Sequence, residues 1–317
     1  MILTVTPNTG IDYTLIVPEF RLDATLRARE TAWGMGAKAT DVSWILGRWG
    51  VSSLALGFAA GDTGRHMEAM LQARGVQTDF VPVEGETRLN VVVVCAATGR
   101  QSTLTANTLR VRADHVQALR DRYAQALPQA SCVVLGGSLP DGAPLSLYPD
   151  LIEEARARGI PVIFDSSGPA LRDGLAARPT LIKPNQAELA ELTGHATHTL
   201  ADTYRLAAAL QRETGVDLIV TLGGAGALAL LGARHYHIPP LRVKAVSTAG
   251  AGDGVLAGMA LALSRSQSAE EGLRLGFALA GAVVMTPATA DFRPEDAQQL
   301  LAQVELIPWP ADHRTGR

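Results

Sequence analysis

The chain has 317 residues, 47% of them hydrophobic and 19% charged, with a formal net charge of −3. That composition can bury a large core and excludes wholesale disorder, and 28 unclustered basic residues against 31 acidic ones give no nucleic-acid or membrane-surface footprint. Two cysteines, Cys95 and Cys132, are too few for a disulfide framework or a four-cysteine zinc site. The start, MILTVTPNTG, lacks the pattern of a secretory signal, and no apolar run approaches the ~18 residues of a membrane span. The expectation is a cytoplasmic protein of one domain.

In chain order, Met1–Val5 reads as a buried strand. Residues 11–33, rich in Thr, Val and charge, read as antiparallel strands with one wet face. A helix at Asp41–Trp49, a strand at Ser53–Gly57 and a helix at Arg65–Arg74 follow. Residues 84–107 repeat the wet-faced antiparallel pattern. Helices at Ala113–Leu127, Leu147–Arg158, Gln186–Thr193 and Leu200–Thr214 then alternate with strands at Cys132–Leu135, Val162–Asp165, Leu181–Lys183 and Leu218–Leu222. A strand pair, Ala227–Leu231 and Arg234–Ile238, leads into helices at Gly254–Ser264, Ala269–Met285 and Arg293–Val304. Continuously apolar strands alternating with helices predict an α/β layered fold with a parallel sheet. Segments 11–33 and 84–107 are expected to form a small sheet that leaves the main layer and covers one edge of it.

Three segments carry chemistry. In Ser247-Thr248-Ala249-Gly250-Ala251-Gly252-Asp253-Gly254, small residues let consecutive N–H groups face outward at a helix start, an anion-binding arrangement. Asp253 there reads either as a helix cap or as a base that accepts a proton from a hydroxyl attacking phosphorus. Lys183-Pro184-Asn185-Gln186-Ala187-Glu188 joins a strand to a helix. Asn185 and Glu188 fit a capping box, while the Lys, amide and carboxylate together suit phosphate and hydrated Mg²⁺. Gly34-Met35-Gly36-Ala37-Lys38-Ala39 matches the G-x-G-x-x-A dinucleotide fingerprint. The preceding Glu30-Thr31-Ala32-Trp33 is a poor strand, however, and Lys38 in a small-residue turn better suits a phosphate or hydroxyl-rich ligand. No G-K-[ST], H-E-x-x-H or C-x-x-C occurs, and His235 and His237 read as surface residues of a strand.

Five segments in order resemble the PfkB/ribokinase family of carbohydrate kinases across nearly the whole chain. T-x-G-A-G-D stands as Thr248–Asp253, K-P-N-x-x-E as Lys183–Glu188, and G-S-L-P-x-G as Gly137-Ser138-Leu139-Pro140-Asp141-Gly142. D-[ST]-S-G stands as Asp165–Gly168 and S-L-G-x-x-G as Thr221–Gly226. Thr87-Arg88-Leu89-Asn90 is similar to the phosphofructokinase-like branch. The resemblance implies a three-layer ribokinase-like fold with a small β-sheet lid over the site, ATP and Mg²⁺ as cofactors, and a phosphorylated ketohexose as acceptor, fructose 1-phosphate first and tagatose 6-phosphate next. A kinase of an unphosphorylated sugar, sugar acid or nucleoside is the alternative, with a sugar-phosphate-binding protein of weak turnover beyond it.

The roles implied are specific. Asp253 is the base, and the amides of Ala249, Gly250, Ala251 and Gly252 stabilise the transferring phosphoryl group. Lys183, Asn185, Glu188, Thr221, Gly223 and Gly226 serve the nucleotide, with Asn185 and Glu188 reaching Mg²⁺ through water. Asp12, Gly36, Asp41, Asn90 and Ser138 belong to the sugar side, and Lys38 and Arg88 hold a phosphate already on the sugar. The lid also implies a homodimer paired through its sheet. Departures gather on the sugar side: the pattern G-G-K-G-x-N-V stands as Gly36-Ala37-Lys38-Ala39-Thr40-Asp41-Val42. Two alanines replace glycines there, adding methyl groups where backbone is expected to approach the ligand. Asp41 replaces an asparagine, Thr9 a proline, and T-E-x-N is absent at Thr103–Ala106.

Overall fold

The computed structural model describes residues 1–106 and 109–310. The chain begins β1 (Ile2–Asn8), β2 (Gly10–Val17), β3 (Glu30–Met35), α1 (Lys38–Arg48), β4 (Ser53–Ala59), α2 (Gly61–Gln72). It continues β5 (Gln77–Thr78), β6 (Val81–Pro82), β7 (Arg88–Cys95), β8 (Gln101–Leu104), α3 (Ala113–Ala126), β9 (Cys132–Gly136), α4 (Leu147–Ala157), β10 (Val162–Asp165). Next come α5 (Gly168–Ala176), β11 (Leu181–Ile182), α6 (Gln186–Thr193), α7 (Leu200–Thr214), β12 (Asp217–Thr221), β13 (Ala227–Leu231), β14 (Arg234–Ile238). The last elements are α8 (Ala251–Ser264), α9 (Ala269–Val283), α10 (Pro294–Leu301) and β15 (Ile307–Pro308).

Strand alternation explains the layers. In β9, Cys132 and Val134 face one core while Val133 and Leu135 face the other, and Ile2 and Leu3 of β1 divide in the same way. A strand buried on both faces must be apolar throughout, which is the pattern these segments show. Residues from α1, α2, α8, α9 and α10 fill the first core, and residues from α3 to α7 fill the second. The large sheet runs β15-β14-β13-β12-β11-β10-β9-β1-β4-β5, with β6 also on β4. It is parallel from β12 through β4 and antiparallel from β12 outward to β15.

A separate sheet of four strands has the order β3-β2-β7-β8. Its strands take up about half of segments 11–33 and 84–107; residue 107 lies outside the described residues. The expectation of all-antiparallel pairing is corrected here, because β2 pairs with β7 in parallel register, Asp12 opposite Asn90. The α1–β4–α2 excursion between the two strands supplies the crossover that parallel pairing requires. Glu30–Met35, a poor strand by composition, is a strand because β2 pairs with it antiparallel along its length. It belongs to the small sheet and gives no support to a dinucleotide reading.

Several element starts move earlier than expected: α1 begins at Lys38, α2 at Gly61 and α8 at Ala251. The small residues Ala37, Ala60 and Gly250 stand at these N-caps without a side-chain cap, so polar capping gave no signal. Helix α5 was hidden because its first residues, Gly168-Pro169, read as a turn, although Pro suits the first turn of a helix.

Candidate active site

Several of the candidate side chains lie near the carboxyl ends of the parallel strands, as expected at the open edge of an α/β sheet. Asp253 lies in the first turn of α8 and is 7% exposed. It caps nothing: Gly250 is the N-cap, and Asp253 Oδ1 is buried without a hydrogen-bond partner. The capping reading of Asp253 is therefore corrected. Gly250 turns the chain into the helix at φ 81°, and a methyl group there would meet the backbone of Ala290. Burial pushes Asp253 up to about 6, with Asp165 adding to the rise while Lys38 and Lys183 oppose it.

Beside it, two lysines meet on one oxygen. Lys38 Nζ stands 3.1 Å and Lys183 Nζ 3.3 Å from Asp165 Oδ2. Burial alone would raise the Asp165 carboxyl, but the charges of Lys183 and Lys38 and their hydrogen bonds outweigh it and hold the group below the usual carboxylate range. The positive charge of Lys38 is reinforced most by Asp165, against the cost of burial.

Toward the small sheet, Asp12 is 5% exposed and fully engaged. Asn90 Nδ2 donates to its Oδ1 at 2.7 Å and Thr289 Oγ1 to its Oδ2 at 2.7 Å. Burial still raises the Asp12 carboxyl, against the hydrogen bonds of Asn90 and Thr289 and the charge of Arg88. Asn90 also donates to the Gly36 carbonyl at 3.3 Å, and Arg88 Nη2 reaches the same oxygen at 3.5 Å. Gly36 is obligatory, since a methyl group there would collide with the Asp12 carboxylate and the Asn90 amide. Ser138, exposed after β9, accepts from Asn8 Nδ2 at 3.0 Å.

On the other side of α8 lies a cavity of about 1050 Å³, lined among others by Thr221, Gly223, Gly226, Thr248, Ala251 and Gly252. Asn185 and Glu188 form the expected capping box at α6: Glu188 N donates to Asn185 Oδ1 at 2.9 Å and Asn185 N to Glu188 Oε2 at 2.8 Å. Thr221 N donates to the Pro184 carbonyl at 3.0 Å, tying the end of β12 to this segment. Ala249 occupies the turn ahead of Gly250.

The departures have clear placements. The Ala39 side chain packs into the hydrophobic core with Val42 and Ile45, so that methyl group is a core atom and crowds no ligand. Ala37 is the N-cap of α1, and its N–H donates to Asp41 Oδ1 at 2.9 Å.

A family profile, pfkB family carbohydrate kinase, matches residues 5–296. The chain belongs to the pfkB family of carbohydrate kinases. It is an ATP-dependent carbohydrate kinase, a transferase of carbohydrate metabolism. The kinase is 31% identical to 1-phosphofructokinase of Bacillus subtilis (strain 168) over 306 residues, covering 96% of this chain and 99% of that one. It is 28% identical to tagatose-6-phosphate kinase of Staphylococcus epidermidis over 312 residues, covering 97% and 99%. Phosphofructokinase-2 from Escherichia coli, solved with substrates and products, superposes with a TM-score of 0.86 at 29% identity, covering 96% of this kinase and 99% of that chain.

Sequence reasoning gave no role to Asp165, Thr289 or Gln101. For Asp165 a signal existed, a carboxylate closing the apolar strand Val162–Asp165. Thr289 lies in a loop and reaches Asp12 across 277 residues, with no local pattern to mark it. Gln101 of β8 accepts from Ser247 Oγ at 3.2 Å and Thr248 N at 3.0 Å, joining the small sheet to the loop before α8. No helix of the described residues is long and apolar enough to cross a membrane.

Proposed function

We propose that this kinase transfers the γ-phosphoryl group of ATP to a hydroxyl of a sugar phosphate, with fructose 1-phosphate the first candidate acceptor and tagatose 6-phosphate the second. The observation that carries the reading is the unpartnered Asp253 Oδ1, buried in the first turn of α8 beside the lysines on Asp165. A carboxylate so placed takes the proton from the acceptor hydroxyl, and burial makes it a stronger base than an exposed aspartate. The amides of Ala249 to Gly252 and the N-terminus of α8 stabilise the charge on the phosphoryl group in flight.

On the acceptor side, Asp12 and Asn90 bind sugar hydroxyls above Gly36, and Arg88 and Lys38 hold the phosphate the sugar already carries. Arg88 supports a phosphorylated acceptor because its guanidinium is half-buried and its Nε is without a hydrogen-bond partner. The names of the relatives point the same way. The cavity beside Thr221, Gly223 and Gly226 takes the nucleotide. Asn185 and Glu188 suit Mg²⁺ held through water: they offer oxygen donors, and among the described residues no cluster of His, Cys, Asp or Glu forms a protein cage. When bound, the ion neutralises phosphate charge.

The small sheet acts as a lid that excludes water, supported by the Gln101 link to the loop before α8. Its exposed Trp33, Leu89 and Leu104 support pairing of two copies through the sheet. A cytoplasmic setting fits two unpaired cysteines and a metabolic substrate.

The test is ADP release measured across fructose 1-phosphate, tagatose 6-phosphate, fructose 6-phosphate, free fructose and ribose. Highest kcat/KM on fructose 1-phosphate or tagatose 6-phosphate is expected. Turnover confined to a neutral sugar would overturn the reading.

A further inference from the structure

Asp41 has surroundings that its place in the motif does not explain. It lies in the first turn of α1, 4% exposed, and accepts one backbone N–H, that of Ala37. Its carboxyl group also lies within hydrogen-bonding reach of the Asp253 carboxyl. A hydrogen bond between two carboxyl groups needs a proton on one of them, and two charged carboxylates in contact repel strongly.

The charges around the pair point to which group holds that proton. Four buried carboxyl groups, Asp12, Asp41, Asp165 and Asp253, face three cations, Arg88, Lys38 and Lys183. Both lysines sit on Asp165, while Asp12 takes the donors of Asn90 and Thr289 and the charge of Arg88. Asp41 meets the charges of Asp253 and Asp12, with Arg88 the cation that senses it. Asp253 meets Lys38, Lys183 and Asp165, and Glu188 reaches Lys38. One carboxyl group is left without a countercharge: Asp253 has both lysines beside it, whereas the charges pressing on Asp41 are those of the Asp253 and Asp12 carboxylates.

We propose that Asp41 and Asp253 share a single proton that resides on Asp41, so that Asp41 is a positioning residue holding Asp253 ionised with Oδ1 ready for the acceptor's proton. This rests on the reading of Asp253 as the base. Burial and the charges of Asp253 and Asp12 push Asp41 well above the usual carboxylate range, in keeping with that assignment. A neutral carboxylic acid sets an O–H donor beside a carbonyl acceptor, much as an amide sets its NH₂ beside its C=O. Aspartate thereby stands where the family pattern has asparagine without adding charge beside an anionic acceptor.

The step balances simply. The acceptor O–H bond breaks and its proton passes to Asp253. The oxygen's electron pair forms the new bond to the γ-phosphorus, and the bond to the bridging oxygen breaks with its pair leaving on ADP. The Asp41–Asp253 pair then holds two protons and returns one to solvent before the next turnover. At alkaline pH the Asp41 proton is lost, both carboxylates are charged, and turnover falls.

The test compares Asp41→Ala with Asp41→Asn over a pH series on the full-length kinase. Asp41→Ala removes the donor to Asp253 and is expected to lower kcat by about ten- to a hundredfold. Asp41→Asn keeps a donor and should recover most of that loss, yet its alkaline fall in kcat should vanish or move up by about one pH unit or more. An alkaline limb identical in wild type and Asp41→Asn overturns the proposal. If neither variant folds, infrared spectra of the wild type decide: near neutral pH a protonated-carboxyl band is expected, and it should shift in Asp253→Asn. A missing or unshifted band overturns the sharing of the proton. Near-normal kcat in Asp253→Asn would instead sink the assignment of the base itself, so the two failures are distinguishable.

Discussion

Two small-residue turns, at Gly223 to Gly226 and before α8, help to line the large cavity; around Asp12 the groups are mostly side chains. Gly223, Gly226, Thr248, Ala251 and Gly252 reach the cavity from these turns and the start of α8, and outside its lining Asn185 and Glu188 satisfy each other locally. At Asp12, by contrast, Asn90 and Arg88 both arrive from β7 and Thr289 from a late loop. A backbone site needs only short runs of small residues, so it reads directly from sequence and keeps its chemistry through substitution. A side-chain site changes its ligand with single replacements, and this is where the chain departs from the family pattern.

The sharpest way to break the contrast is Asp253→Asn, which belongs to both sides. It should lower kcat by about 10²- to 10⁴-fold with ATP binding intact, measured by turnover and nucleotide titration. Near-normal turnover would remove the base. The acid limb of the pH profile is linked to it: kcat/KM should fall as pH drops through about 6, because Asp253 must be ionised. Next in size, Arg88→Ala should raise KM for the sugar phosphate about ten- to a hundredfold while KM for ATP stays within about twofold. Equal losses for both substrates would erase the division between the two sides.

A smaller effect separates chemistry from stability. Asp253 is raised in the folded state, so folding binds protons and stability is lost as pH rises from the ordinary carboxylate range through about 6. Asp253→Asn should then be more stable than wild type above that window, by on the order of 2 kcal/mol, and the gap should close in acid. Denaturant titrations at two pH values check the sign. Smallest, Ala39→Gly should cost about 1 kcal/mol of stability with acceptor KM unmoved, since the methyl group lies in the core. A lowered KM would return Ala39 to the ligand.

How much was legible follows the same division. The strand–helix alternation and all the motifs at strand ends could be read because each is local: an apolar run, a small-residue turn, a capping box. The parallel pairing of β2 with β7 could not, since the α1–β4–α2 excursion sets it and neither strand's composition records its partner's direction. Trp33 and its neighbours likewise become a strand only when β2 lies alongside. Asp41 was legible as a departure, but its approach to Asp253 depends on how α1 meets α8 in space.

The bond from Thr289 to Asp12 has a consequence for exchanging parts between relatives. Asp12, Gly36, Lys38, Asp41, Arg88 and Asn90 all fall in the first third of the chain, so that stretch invites transplantation as a cassette for a new acceptor. Thr289 lies far outside it, yet donates to the carboxylate at its centre. A graft that leaves position 289 to the host would inherit the residues proposed for the sugar side without the hydroxyl that donates to Asp12.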